Sequence, residues 1–149
     1  MSREFKPRGA DYKKRVKQIF LEANFIRLLE IELLEIEPGL IRTSLTVQDK
    51  HKQQNNFVHA GVISTLADHS AGAAAGTLIG EQQVVLTLEF KVNLLRPGIG
   101  DRLRCQAKVI YQGKTIIVAE SEVFAEHHKR EKLIAKATVT LAVLGKLYG

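Results

Sequence analysis

The stretch HAGVISTLADHSAGAAAG, residues 59–76, decides the fold of this 149-residue chain. It consists almost entirely of small and apolar residues, which allow a helix to approach a sheet closely. We therefore predict one long central helix, over about residues 61–79, with most of its surface buried. Asp68 lies in the middle of it. Because burying an unpaired carboxylate is costly, this aspartate is the first candidate for a functional residue.

The segments around this helix predict strands. Residues 84–94 alternate apolar with polar side chains, as in a strand with one buried face. An amphipathic pattern at residues 11–29 instead predicts an N-terminal helix. The further predicted strands are residues 29–37, 40–47, 102–111, 115–124 and 133–144. Long strands around one apolar helix indicate an α+β domain, in which an antiparallel sheet is wrapped around the central helix.

Length and composition favour a single domain over residues 1–149, with an N-terminal amphipathic helix and tail in residues 1–24. A hydrophobic content of 45% and a charged content of 26% are typical of globular proteins. The charged N-terminus predicts neither a signal peptide nor a membrane anchor. One cysteine, Cys105, fits a reducing compartment, so we expect a cytoplasmic protein.

The net charge of +6 favours an anionic partner. The basic residues are scattered along the chain, and aromatic residues make up only 6% of it. Surfaces on which nucleic-acid bases could stack are therefore poorly supplied. The composition predicts a phosphorylated small ligand and no nucleic-acid partner.

Helical spacing places Asp68 near one edge of the central helix, together with Gly61, Thr65 and Gly72. A carboxylate partly removed from water suits a general base, and free N–H groups at the helix start suit an oxyanion. The two features are about 10 Å apart along the helix axis. A reaction that uses both needs a substrate that bridges them or a second chain. The alternative is that Asp68 faces solvent or caps a loop.

Two segments, QQNNFVHAGVISTLADHSAGAAAG (53–76) and LTLEFKVNLLRPGIGDRL (86–103), resemble the PaaI-like family of hotdog-fold acyl-CoA thioesterases. The resemblance extends from about residue 25 to residue 144. Its most specific part is an H-x-G motif with an acidic residue nine positions after the histidine: His59, Gly61 and Asp68. The resemblance implies a hotdog fold and hydrolysis of acyl-CoA to a carboxylic acid and free CoA. It implies homodimers, often paired into tetramers, and no cofactor beyond the CoA of the substrate.

The resemblance also implies roles for individual residues. Asp68 would act as base on water or as nucleophile, and the Gly61 N–H would polarise the thioester carbonyl. His59 would orient that carbonyl or the local backbone. The chain has Ala60 where many members have glycine, and Gln53 where many have asparagine. The predicted catalytic residues are Asp68, Gly61, His59 and Gln53, and the predicted substrate-binding residues are Asn55, Asn56, Thr87 and Thr65.

Other chemistries fit the sequence less well. No G-x-S-x-G elbow surrounds Ser64 or Ser70, which argues against a serine hydrolase. His51, His59 and Asp68 match no common zinc spacing, so we predict no metal site. His69 directly follows Asp68, and it is expected in packing, as is Cys105. Two functional alternatives stay open: a non-catalytic acyl-CoA-binding module, and a hotdog hydratase or dehydratase.

Overall fold

The computed structural model describes residues 4–145, so the predicted domain limits in residues 1–3 and 146–149 lie outside the described residues. The chain forms α1 (Tyr12–Glu22), α2 (Asn24–Leu29), β1 (Glu32–Glu37), β2 (Leu40–Thr46), a 3-10 turn (Asp49–His51), α3 (Ala60–Gly76), β3 (Gln83–Leu94), β4 (Arg102–Gln112), β5 (Ile116–His127) and β6 (Arg130–Gly145). None of the helices between residues 4 and 145 is long and apolar enough to cross a membrane.

The six strands form one antiparallel sheet in the order β1-β2-β4-β5-β6-β3. Helix α3 packs against strands β2 to β6. Its inner side is fully buried at Ala67, Ala71, Ala74 and Ala75, and these small side chains bring the helix backbone close to the sheet. At this distance the Ser121 hydroxyl of β5 donates to the Ala67 carbonyl at 2.7 Å. The predicted α+β hotdog fold is confirmed.

The N-terminal segment differs from the single helix predicted over residues 11–29. It is broken at Ala23, whose extended backbone (φ −68°, ψ 108°) separates α1 from α2. Glu30 then adopts a left-handed conformation (φ 58°), which ends α2 and moves the start of the first strand to Glu32. Helix α1 is packed against α3, and its buried residues are Val16 and Phe20.

Strand β3 forms as predicted, but its apolar face is not buried within one chain. Leu86, Leu88 and Phe90 are 47%, 60% and 45% exposed. The expectation of a buried face was wrong for the single chain because β3 is the outermost strand of the sheet and pairs only with β6 in the described residues. A long apolar edge strand is the kind that pairs with a second chain.

Candidate active site

Asp68 lies in the middle of α3, and one of its oxygens is held by β3. The Thr87 hydroxyl donates a hydrogen bond of 2.7 Å to Asp68 Oδ1. Oδ2 has no hydrogen-bond partner within residues 4–145, and the residue is partly exposed. The geometry thus brings together two of the predicted site residues. Thr87 fixes the orientation of the carboxylate and leaves one oxygen available.

The carboxylate faces a cavity of about 270 Å³. Three small residues of α3, Gly72, Ala73 and Gly76, leave this space open on the helix side. Its other walls are mainly apolar side chains of α1 and β3, among them Val16, Ile19, Phe20, Val84, Val85 and Leu86. A cavity of about 150 Å³ is enough for benzene. The space beside Asp68 is therefore large enough for an apolar group somewhat bigger than one ring.

The start of α3 is capped by His59. Its backbone is extended (φ −61°, ψ 136°), and its Nδ1 accepts a hydrogen bond of 2.8 Å from the Gly61 N–H. A Cβ at Gly61 would lie 2.9 Å from that nitrogen, so glycine makes room for the cap. Since Nδ1 accepts, the hydrogen of the neutral ring is on Nε2.

The cap changes which N–H group is available to a substrate. The Gly61 N–H, predicted to face the thioester, donates to His59 instead. The N–H of Ala60, the first residue of the helix, has no hydrogen-bond partner among residues 4–145, and Ala60 is exposed. The sequence prediction named the Gly61 N–H and did not consider that of Ala60 as the donor. The signal that could have identified it is its position directly after a histidine able to cap the next N–H.

A second cavity, of about 500 Å³, lies at this helix start. Gln53, His59 and Ala60 line it, together with Arg96 and Pro97 after β3. The Gln53 side-chain oxygen accepts from the backbone N–H of Asn55, which folds the loop into a tight turn.

Asn55 and Asn56 play a local part in that turn. Asn55 supplies its N–H to Gln53, and Asn56 adopts a left-handed backbone (φ 65°). Both are exposed, and neither belongs to the walls of the cavities formed by residues 4–145 at Asp68 and at the helix start. Of the three predicted amides, only Gln53 lines the cavity at the helix start, and Gln54 lines it too.

Thr65 is not brought to either cavity. Its hydroxyl donates to the Gly61 carbonyl one turn earlier, at 2.7 Å. Ser70 is fully buried and lies 2.8 Å from the Thr43 hydroxyl, oxygen to oxygen. Both hydroxyls have partners within the fold, whereas Asp68 Oδ2 has none among residues 4–145.

The two remaining histidines of this region are structural. His69 packs as predicted, with its ring centroid 4.5 Å from that of Phe20. Burial lowers the pKa of His69, and neighbouring Asp68 opposes the shift. His51 is fully buried: Nδ1 accepts from the Gln48 N–H and Nε2 donates to the Leu29 carbonyl, both at 2.9 Å. Within residues 4–145, no three His, Cys, Asp or Glu residues are grouped as metal ligands would be.

Asp68 and the free Ala60 N–H open onto different cavities of one chain. Within one chain, the carboxylate and the free N–H therefore do not face the same cavity. The exposed apolar residues of β3 include Leu86, directly beside Thr87 on the wall of the Asp68 cavity.

Comparisons with known proteins agree with the hotdog fold. The profile of the Thioesterase superfamily matches residues 55–132. A thioesterase family protein from Silicibacter pomeroyi is 34% identical, with a TM-score of 0.88 over 90% of this chain and 98% of that one. The 1,4-dihydroxy-2-naphthoyl-CoA hydrolase of Listeria monocytogenes is 31% identical over 78% of this chain and 92% of its own length. The PaaI protein of Escherichia coli, 20% identical, shares the fold with a TM-score of 0.81 over 91% of this chain and 94% of that one.

Proposed function

Because this chain belongs to the thioesterase superfamily and is a thioester hydrolase, we propose that it cleaves acyl-CoA to a carboxylic acid and free CoA. The observation that carries the proposal is the Asp68 carboxylate, held by the Thr87 hydroxyl at 2.7 Å on the wall of a mainly apolar cavity. A CoA ester as substrate is supported by the relative from Listeria monocytogenes, whose name describes a CoA hydrolase.

Asp68 acts in one of two ways. As a general base it takes a proton from water, the hydroxide adds to the thioester carbonyl, and the tetrahedral intermediate breaks its C–S bond and releases CoA as a thiolate. As a nucleophile it attacks the carbonyl with Oδ2, expels CoA as a thiolate and forms an anhydride that water then cleaves. Either path places negative charge on the carbonyl oxygen, and a hydrogen bond from the Ala60 N–H stabilises that charge. His59 stabilises the backbone at the start of α3 by accepting a hydrogen bond from the Gly61 N–H.

The complete site is formed by two chains. Asp68 and Ala60 open onto separate cavities of one chain. Strand β3 presents Leu86, Leu88 and Phe90 beside a sheet edge that pairs with no other strand of residues 4–145. Pairing two such edges buries these side chains and places the second chain beside Asp68. We propose a homodimer in which the carboxylate of one chain and the helix start of its partner act on one thioester, with Gln53 at the helix-start side. Pairing of dimers into tetramers stays a prediction of the family resemblance.

Thiol release from a panel of aromatic, short-chain and long-chain acyl-CoAs tests this proposal. Turnover by the wild type should fall by about 10²–10⁴-fold in Asp68→Asn, which keeps the shape of the side chain but removes its basicity. Asp11→Asn is the matched control, since Asp11 precedes α1 and its side chain makes no capping hydrogen bond. Wild-type turnover in Asp68→Asn would contradict the assigned mechanism.

The assay also separates the two alternative functions. Tight acyl-CoA binding without thiol release would favour a binding module, and a change in enoyl absorbance without thiol release would favour a hydratase. The protein itself should not consume a disulfide reporter. Its single thiol, Cys105, is buried, and burial raises the pKa of that thiol to about 11.

A further inference from the structure

The cavity that Asp68 faces continues along α3, away from the start of the helix. On the helix side its wall begins at Asp68, passes Gly76 and ends at Ile79. On the strand side it begins at Thr87, which holds the carboxylate, and ends at Gln83, the first residue of β3. Because a helix rises about 1.5 Å per residue, Asp68 and Gly76 are about 12 Å apart along its axis. The cavity is therefore elongated, with the carboxylate at one end.

Two glycines of α3, Gly72 and Gly76, widen this cavity, although packing within the chain does not require them. Apart from the backbone of the helix itself, a Cβ at Gly72 would meet Leu141 Cδ2 at 3.9 Å, and one at Gly76 would meet Val16 Cγ2 at 3.6 Å. Both are ordinary contact distances, so alanine fits at either position. Glycine inside a helix is less stable than alanine. The two glycines therefore lower the stability of the helix and leave room for a bound group.

Two hydrogen-bond donors lie at the far end of this mainly apolar cavity. Arg15 Nη2 donates to the carbonyls of Gly76 and Ile79 at 3.3 and 2.9 Å, and its Nη1 and Nε have no acceptor within residues 4–145. The Gln83 Oε1 accepts from the Gly80 N–H at 2.9 Å, which fixes the amide and leaves its Nε2 without an acceptor in the same part of the chain. Both side chains line the cavity, and both are half-buried.

The charges along the cavity differ between its two ends. Asp68 is the only carboxylate on the wall that the described residues form. Arg15 forms no ion pair with any residue between 4 and 145. His69 lies between them with its ring against Phe20, and burial lowers its pKa, so it is neutral at pH 7. The cavity therefore has negative charge at the Asp68 end, and positive charge with free N–H groups at the Arg15 end.

We propose that this cavity selects acyl groups that carry a hydrogen-bond acceptor, a carboxylate or a hydroxyl, at the end remote from the thioester, an inference that rests on the proposed function. The reacting carbonyl lies at Asp68, and the apolar part of the acyl group lies along Gly72 and Gly76. Its terminal oxygen accepts from Arg15 and Gln83. Hydrogen bonds from a guanidinium group to a carboxylate are strong, and apolar surroundings strengthen them. An acyl group without the acceptor displaces water from both donors and leaves them unsatisfied.

The test uses three substrates of equal chain length: octanoyl-CoA and its ω-hydroxy and ω-carboxy derivatives. We expect the wild type to hydrolyse the ω-carboxy ester with a kcat/KM about tenfold above that of octanoyl-CoA, and the ω-hydroxy ester with an intermediate value. Gln83→Glu keeps the oxygen that accepts from Gly80 and replaces the free amide donor by a negatively charged oxygen. The variant should therefore lower the ratio of kcat/KM for the ω-carboxy ester to that for octanoyl-CoA by about tenfold.

Arg15→Gln should lower the same ratio, because it removes the positive charge at the far end of the cavity. The ratio compares two substrates on one protein, so a smaller folded fraction of this variant does not change it. Lys17→Gln is the matched control, at an exposed position of α1 outside the cavity wall, and it should keep the wild-type ratio.

Calorimetry with octanoate and octanedioate gives a readout that does not need turnover. We expect octanedioate to bind the wild type more tightly than octanoate does, and Gln83→Glu to lose this preference. The proposal is overturned if the wild type hydrolyses octanoyl-CoA as well as both ω-substituted esters, or if both cavity variants keep the wild-type ratio. Binding of octanedioate that depends on Arg15, without thiol release from any substrate, would overturn the proposed hydrolysis and leave the selective cavity standing.

Discussion

The two ends of α3 differ in how their backbone groups are satisfied. At the C-terminal end, the Arg15 guanidinium donates to the carbonyls of Gly76 and Ile79 at 3.3 and 2.9 Å. The Thr77 hydroxyl donates to the Ala74 carbonyl at 2.7 Å and accepts from the Gly39 N–H at 2.8 Å. At the N-terminal end, His59 occupies one N–H, and that of Ala60 has no partner among residues 4–145.

The two ends of the helix therefore differ in their main contribution, although Arg15 and Gly76 also line the Asp68 cavity. The C-terminal end is tied by protein groups to α1 and to the turn between β1 and β2, so it holds the helix in the fold. The N-terminal end keeps an N–H donor that opens onto a cavity, and this is what a developing oxyanion requires. Removing the free N–H of Ala60 should therefore lower turnover, and removing the Arg15 hydrogen bonds at the C-terminal end should lower the free energy of unfolding.

Among changes at the two ends of α3, Ala60→Pro should have the largest effect. Proline has no N–H, yet it is favoured at the first position of a helix, and the extended backbone of His59 is the conformation that a following proline requires. The substitution removes the free donor without breaking an existing hydrogen bond. We expect kcat to fall by about 10²–10³-fold, as for the loss of one oxyanion donor, with the melting temperature nearly unchanged.

Ala60→Gly is the control for this variant, because it keeps the N–H. It should stay within severalfold of the wild-type kcat. Full activity in Ala60→Pro would show that another group stabilises the oxyanion, and the Gly61 N–H, released from His59, would then be the first candidate.

Arg15→Gln tests the opposite end of the helix. The variant loses charged hydrogen bonds to two terminal carbonyls and a favourable interaction with the helix dipole, so we expect the free energy of unfolding to fall by about 1–2 kcal/mol. Thermal unfolding measures this as a decrease of about 2–8 °C. The control is Lys17→Gln, at an exposed position of α1, the helix that carries Arg15. It should change the free energy of unfolding by no more than about 0.5 kcal/mol. Equal melting temperatures for the two variants would show that the C-terminal cap contributes nothing.

His59 allows its capping role to be separated from any role of its ring. His59→Ala removes the acceptor for the Gly61 N–H and should lower the free energy of unfolding by about 1 kcal/mol. His59→Asn keeps a good capping oxygen and should recover most of that loss in chemical denaturation. If both variants lose the same activity while only His59→Asn regains stability, the ring itself contacts the substrate. If His59→Asn regains both activity and stability, His59 contributes to turnover only by capping the Gly61 N–H.

Much of the fold could be predicted from the sequence because the spacing of apolar residues indicates which side of a helix or strand is buried. The alternation in β5 and β6 and the small residues of α3 identified the sheet and the helix it covers. The alternation in β3 correctly predicted a strand, but the prediction that its apolar face is buried was wrong for the single chain. Periodicity shows that apolar residues such as Leu86 and Leu88 recur along the strand. It does not show which molecule covers them. The break at Ala23 was missed because it depends on one extended residue inside an otherwise helical pattern.

The candidate site followed from the sequence only in part. The proximity of Thr87 to Asp68 was suggested by the family resemblance, and the geometry agrees with it. The Gly61 N–H was predicted to face the thioester, and it donates to the His59 ring in the single chain, which a spacing motif does not show.

The smallest expected effect is a pH dependence at His69, which lies between the two ends of α3. Burial against α1 lowers the pKa of His69 below its ordinary value of 6.5, although neighbouring Asp68 opposes the shift. The unfolded chain therefore takes up a proton near pH 6.5, before the folded protein does. The free energy of unfolding should fall as the pH drops below about 6.5 and continue to fall until the folded pKa is reached.

His69→Gln should reduce this slope, because it removes the group that binds a proton more readily in the unfolded state. Melting temperatures at pH 7.5 and 5.5 should therefore differ less in the variant than in the wild type. Between pH 7.5 and 8.5 the two proteins should behave alike, since the histidine is then neutral in both states. Equal slopes below pH 6.5 would show that His69 is protonated as easily in the folded protein as in the unfolded chain, and that its packing against Phe20 does not exclude the charge.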